Sequence, residues 1–280
     1  MRPHLILSLL VLLLPCAPAA SWPALPKEPL EVTLSSEILG KNDTVIYVED
    51  LETGLVYGFS GSRREERHPP FSSFKIPNFL IALETGAVSS IDETIPYRPE
   101  KRPQRDYWPA DWAQDQTLRT AFRRSAAWAF QDLALKVGEE SYRGYLEHFC
   151  YGNEACKGDG FWLDRSLEIS PKEQVDFLRK LLTEQLEIAP LHVESLRKCA
   201  LLREGNGFRL FGKTGAGPSE ANNFSGPFEG WLVGWLERPN SKPVLYALWT
   251  RGESYQAIRR YRQETTLAFL EQLGFLPLAW

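Results

Sequence analysis

Four histidines, four cysteines and one methionine in 280 residues leave little material for several common chemistries. The histidines are too few and too scattered to give metal-ligand spacing, which argues against a metal centre. Four cysteines cannot build a disulfide scaffold. Positive charge is not in excess: 32 Lys+Arg face 36 Asp+Glu, a net charge of -4, so a basic footprint for nucleic acid is missing. Apolar runs of membrane length are also missing. The one long run, Leu5 to Leu14, is half of the ~20 residues a spanning helix needs. What is present, 43% hydrophobic and 24% charged residues, is the mixture of a globular chain with a substantial core.

Leu5–Leu14 follows Met1-Arg2 and precedes Ala17-Pro18-Ala19-Ala20. A short positive start, an apolar stretch and small residues together predict a secretory signal peptide over 1–20, cleaved near Ala19 or Ala20. Pro15 before Cys16 is a poor lipidation site, so no stable membrane anchor is expected. Loss of Arg2 leaves a mature charge of -5. Three cysteines then remain. Cys150 and Cys156 flank a short loop and either form a local bridge or stay, with Cys199, as buried free thiols.

Thr44–Val48 and Leu55–Phe59 are β-rich runs either side of a turn around Gly54. Helical patterning follows. Ser170-Pro171-Lys172-Glu173 is a capping box with proline at the first helical position, leading into Val175, Leu178 and Leu182 on one stripe. After Gly207 the period returns to strands at 208–214, 231–237 and 244–250. A last helix over Gln263–Leu273 stops at Gly274. The predicted fold is α+β: an antiparallel sheet built from both chain ends (about 30–66 and 207–280), flanked by terminal helices, with a helical subdomain (about 67–206) inserted. Residues 21–280 then form one domain, and the cleft between sheet and insert is the place for a site.

Ser72-Ser73-Phe74-Lys75 opens a helix at the first boundary of the insert. Spacing i, i+3 puts the Ser72 hydroxyl and the Lys75 amine on one face, where an uncharged or modified lysine can take the serine proton. Pro77 fits only if the helix has just begun. Lys213-Thr214-Gly215 ends a predicted strand, offering backbone groups to an extended ligand and a cation to an anionic one. Each motif alone is common. Together and in this order they are the signature of serine β-lactamases and penicillin-binding proteins. Ser72–Asn78, Ile81–Gly86, Tyr151-Gly152-Asn153, Phe161-Trp162-Leu163, Lys213–Gly215 and Gly230–Trp235 resemble, in order and spacing, the class D (oxacillinase-type) β-lactamases, over about Thr44 to Pro277.

The resemblance implies an exported, periplasmic hydrolase that opens penicillin-type β-lactams through a Ser72 acyl-enzyme. Lys75 would be carboxylated and serve as general base, needing carbon dioxide or bicarbonate but no other cofactor. Trp162 would donate its indole N–H to that carbamate, with Leu163 and Ala127 beside it. Ser125 and Lys213 would relay a proton to the leaving nitrogen. The backbone N–H groups of Ser72 and Ala216 would form an oxyanion hole, with Thr214 and Gly215 also lining the substrate. Of Arg259, Arg260 and Arg262, all just before the last helix, family register selects Arg262 for the substrate carboxylate. Ala127 stands where the family has valine, which predicts a looser, wetter wall beside Lys75. The alternative is a β-lactam sensor or penicillin-binding protein that is acylated but deacylates slowly. Either form would be a monomer or homodimer.

Overall fold

The computed structural model describes residues 28–277 and 280; the predicted signal segment lies outside the described residues. The chain begins with β1 (Leu30–Glu31), α1 (Ser36–Leu39), β2 (Asp43–Asp50) and β3 (Val56–Phe59). The turn between β2 and β3 is the expected one. Asp50 accepts from the Glu52 amide at 3.2 Å and the Thr53 hydroxyl at 2.9 Å, and Gly54 takes φ +71. Short 3-10 turns at Gly61–Arg63 and Phe71–Phe74 lead into α2 (Lys75–Glu84), the ribbon β4 (Thr94–Ile95) and β5 (Gln116–Thr117), then α3 (Leu118–Arg124), α4 (Ala127–Val137) and α5 (Glu139–Phe149). α6 (Pro171–Leu182) starts on its predicted capping box, the Glu173 amide on Ser170 Oγ at 3.2 Å and the Ser170 amide on Glu173 Oε2 at 2.9 Å. α7 (Pro190–Ala200), β6 (Leu201–Gly205), β7 (Phe208–Pro218), β8 (Phe228–Glu237), β9 (Val244–Gly252), α8 (Tyr255–Arg259) and α9 (Tyr261–Gln272) complete the order.

Seven strands form one sheet in the order β1-β3-β2-β9-β8-β7-β6. All neighbours are antiparallel except the edge pair β1–β3, which is parallel, so the sheet is mixed rather than purely antiparallel. Period-two alternation divides the core. Val45 and Tyr47 of β2 and Trp231, Val233 and Trp235 of β8 face the helical insert; Ile46, Val48, Leu232 and Leu236 face the terminal helices α1 and α9. Each fully buried apolar side chain of this size contributes roughly 1.5–3 kcal/mol, so covering both faces is what makes the sheet the rigid base of the molecule.

Two expectations need correction, and one open alternative is resolved. Leu201–Gly205, placed with the helices from sequence, is strand β6, because Asn206 (φ +52) and Gly207 (φ +82) make a tight hairpin that folds it back on β7. Arg262 lies inside the first turn of α9 rather than before the last helix. The Cys150–Cys156 bridge is not formed, and all three described cysteines are free thiols. The segment between them is drawn toward the neighbouring loop instead. Asn153 bonds Glu168 O through its amide at 3.0 Å and Ser166 O through its side chain at 2.8 Å, leaving Cys150 exposed and Cys156 Sγ against Glu139 O at 3.8 Å.

Candidate active site

Ser72 sits in the 3-10 turn that becomes α2. Pro69-Pro70 leads into Phe71, whose left-handed backbone (φ +48) is uncommon for a residue bearing a β-carbon. The corner is held from below: Ser73 Oγ donates to Pro70 O at 2.7 Å and accepts from Gln174 Nε2 at 3.0 Å, and Gln174 Oε1 accepts from Tyr151 OH at 3.0 Å. Tyr151 therefore supports the corner, while Ser72 remains half-exposed at its tip. Pro77 falls in the first turn of α2, where its missing N–H leaves no helical acceptor unpaired.

Lys75 begins α2, and its Nζ donates to Ser72 Oγ at 2.9 Å. The lysine has no exposed surface, and its Nζ stands 5.1 Å from the centre of the Phe130 ring. Burial pushes its pKa well below the lysine range, and the charge of Lys213 pushes it further the same way. A neutral amine able to share the serine proton follows from the packing. The cover over Lys75 comes from beyond Ala127. Ala127 is half-buried at the first position of α4, and Phe130, one turn on, covers the lysine with an aromatic face.

β7 brings the second motif against this corner. β6 pairs with β7 only as far as Phe211, so from Gly212 to Pro218 β7 has a strand neighbour on one side alone. Glycine is required for the approach: a β-carbon at Gly215 would lie 2.5 Å from Pro70 O, and one at Gly217 would lie 2.1 Å from the Phe71 ring. Thr214 and Ala216 stay half-exposed on this stretch. Lys213, 5% exposed, donates to Ser125 Oγ at 2.7 Å and to Thr214 O at 3.3 Å. Burial, reinforced by Arg262, lowers its pKa to about 7. Ser125 ends α3 in a left-handed conformation (φ +62), which turns the chain directly into α4. It is thus a helix terminus and a partner of Lys213 at once. A cavity of about 240 Å³ opens beside Lys213 among Phe122, Cys199, Leu201 and Thr214.

Of the three candidate arginines, Arg259 and Arg260 are exposed and Arg262 is 3% exposed. Its stem packs over Gly230, where a β-carbon would come within 2.8 Å, and its guanidinium donates to Gly215 O and to Ile258 O at 3.1 Å. Burial lowers its pKa. Trp162 is fully buried, stacked on Phe74 with centroids 5.4 Å apart, and its indole N–H has no partner. A buried donor of this kind costs about 1–3 kcal/mol unless something accepts from it. Leu163 is half-buried, its amide bonded to Gly160 O at 2.7 Å. The structure therefore brings Ser72, Lys75, Ser125, Lys213, Gly215 and Arg262 into one connected set, and places Trp162 behind Phe74.

Sequence reasoning missed Phe130, whose only signal was its place one turn after Ala127. It also missed Asn78, buried one turn beyond Lys75, whose Oδ1 accepts from Tyr142 OH at 2.6 Å while its Nδ2 has no partner. No local pattern links residues 64 positions apart, so Tyr142 was not findable this way.

The penicillin binding protein transpeptidase domain matches residues 45–270. The β-lactamase OXA-20 of Pseudomonas aeruginosa is 32% identical over 237 residues, 84% of each chain. The class D β-lactamase YbXI from Nostoc superposes with a TM-score of 0.78 at 29% identity, covering 86% of this chain and 98% of that one. The C-terminal domain of the Bacillus licheniformis BlaR penicillin-receptor superposes with a TM-score of 0.80 at 28% identity, covering 90% of this chain and all of that domain. With its two serine–lysine pairs gathered against β7, the chain belongs to the penicillin binding protein transpeptidase domain family and, within it, to the class D β-lactamases.

Proposed function

We propose that this protein hydrolyses the amide of penicillin-type β-lactams through an acyl-enzyme on Ser72. The observation that carries the reading is the Ser72–Lys75 hydrogen bond at 2.9 Å made by a lysine with no exposed surface. The neutral Lys75 amine suits carboxylation by carbon dioxide with loss of a proton, and the carbamate, when present, supplies an anionic general base. Trp162 fits that group, because its buried indole N–H lacks an acceptor. Lys213 and Arg262 add a positive field that favours an anion there and at the substrate carboxylate.

In acylation, Ser72 Oγ bonds to the lactam carbonyl carbon as its proton passes to the Lys75 side chain. Backbone N–H groups of Ser72 and Ala216 hold the developing oxyanion. The ring C–N bond then breaks, and the nitrogen takes a proton from Ser125, which recovers one from Lys213. A pKa of about 7 suits Lys213 to that exchange at neutral pH. The proton held by the Lys75 side chain passes to Lys213 before the second step; water then attacks the ester, one of its protons going to the Lys75 side chain and on to Ser72 Oγ as the C–O bond breaks, which releases Ser72 with the ring-opened acid. The substrate lies along the open edge of β7, with Thr214 and Gly215 beneath it and Arg262 behind. Export to the periplasm, after cleavage near Ala19 or Ala20, belongs to the same proposal; among the described residues no helix is long and apolar enough to cross a membrane.

The second reading is a slowly deacylating sensor-like state, favoured by the similarity to the BlaR penicillin-receptor domain. Nitrocefin with purified protein separates the two. Sustained turnover supports the hydrolase, and one equivalent of product followed by arrest supports the sensor-like state.

A further inference from the structure

One buried carboxylate takes no part in this chemistry. Glu229 of β8 is 4% exposed, and donors from three other segments converge on it. Arg165 Nη1 stands 3.0 Å from Oε1, Trp249 Nε1 donates to Oε2 at 3.3 Å, and His68 Nδ1 lies 3.5 Å from Oε2. Burial opposes the ionisation of Glu229, and His68 and Arg165 outweigh it, holding the carboxyl below its ordinary range.

Two of those donors hold one segment, Arg165 as a member of it and His68 by pairing with its end. Arg165 lies three residues after Trp162, keeps a left-handed backbone (φ +72), and also donates to Pro218 O at 3.3 Å, at the end of β7. A non-glycine residue holds that conformation where its surroundings over-determine it. His68 exchanges two backbone hydrogen bonds with Ile169, each 2.9 Å, and its ring stacks on Trp249 at 3.8 Å. Glu229 thus grips the 162–169 segment directly through Arg165 and, through His68, at Ile169.

We propose that Glu229 is a positioning residue: by gripping Arg165 and His68 it fixes the turn that carries Trp162, and so keeps the buried indole N–H in place as donor to carboxylated Lys75. This rests on the carbamate reading above. Apart from the Arg165 bond to Pro218 O, residues 162–169 have no other charged anchor to the sheet, so neutralising Glu229 loosens the turn without touching Ser72 or Lys75.

The test is a bicarbonate titration read by the carbamate signal in 13C NMR with 13C-bicarbonate, alongside nitrocefin turnover. Glu229→Gln should need about tenfold more bicarbonate for half-occupancy, the low end of the loss seen when the outer partners of metal ligands are removed. Saturating bicarbonate should restore kcat, whereas a merely structural lesion lowers activity equally at every concentration. Arg165→Ala, at a partly exposed position, should shift the titration the same way, and Arg165→Lys should restore it. Should Glu229→Gln fail to fold, Arg165→Ala decides. An unchanged half-saturation in the folded variants overturns the positioning role while the carbamate reading stands. A wild type with no carbamate signal overturns that reading and this proposal with it.

Discussion

Replacing Lys213 with methionine isolates the electrostatic cost of the site. The lysine is buried, and its pKa falls from an ordinary 10.5 to about 7 because burial and Arg262 both disfavour its charge. The unfolded chain therefore holds more protons than the native one between about pH 7 and pH 10.5. Native stability falls as pH drops through that window and levels off below about pH 7. The full cost is roughly 5 kcal/mol, reached near pH 6; at pH 9 it is about 2 kcal/mol. Methionine removes that cost and also the hydrogen bonds to Ser125 and Thr214, which together are worth about 3 kcal/mol as charge-assisted contacts. In degassed buffer Lys213→Met should be about 2 kcal/mol more stable than wild type at pH 6. The difference should shrink by about 3 kcal/mol at pH 9, where the variant is no more stable than wild type. Guanidinium denaturation of both proteins at the two pH values measures this. A stability difference that does not change with pH would refute the reasoning, since it would mean that Lys213 titrates alike in the folded and unfolded chain.

Ser72→Ala should abolish covalent labelling by a fluorescent penicillin while leaving the far-UV spectrum intact; labelling that moves to Ser73 would contradict the nucleophile assignment. Arg262→Ala should weaken productive capture of carboxylate-bearing β-lactams by ~2–5 kcal/mol in kcat/KM. Because Arg262 also bonds Gly215 O, an equal loss with carboxylate-esterified substrates would reassign it to holding β7. Phe130→Ala should cost about 3–5 kcal/mol of stability and raise the bicarbonate needed for activity, since it uncovers Lys75. Ala127→Val should alter that requirement little, and steady-state hydrolysis with and without bicarbonate tells the two positions apart.

The two catalytic motifs were readable because their geometry is local. Three residues along a helix fix the distance from Ser72 to Lys75, and a strand with small residues fixes how β7 can approach. The capping box of α6 and the Gly54 turn were readable for the same reason. β6 was not, because Leu201–Gly205 is half-buried or exposed along its length and shows no alternation; only the Asn206-Gly207 turn marked it. The cover over Lys75 was not legible, because residue size at Ala127 says nothing about the Phe130 ring delivered from the next turn. The absent Cys150–Cys156 bridge shows that short sequence separation does not bring thiols together once Asn153 ties the intervening loop elsewhere.

Three basic side chains define the electrostatics of the cleft, and their arrangement accounts for what it recruits. No carboxylate figures among the charges that shift Lys75, Lys213 or Arg262; burial depresses all three, Lys213 acts on Lys75, and Arg262 acts on Lys213. An acidic partner inside the cleft would relieve the repulsion, and it would also restore the ammonium on Lys75 and remove the neutral amine that Ser72 needs. The fold instead supplies apolar walls, Phe130 and Phe74 among them, and sets the buried Glu229 among His68, Arg165 and Trp249. The relief is left to anions that arrive from solution. A bound anion raises the pKa of Lys213, and the proton so retained is what offsets the repulsion between a substrate carboxylate and a carbamate held in one cleft.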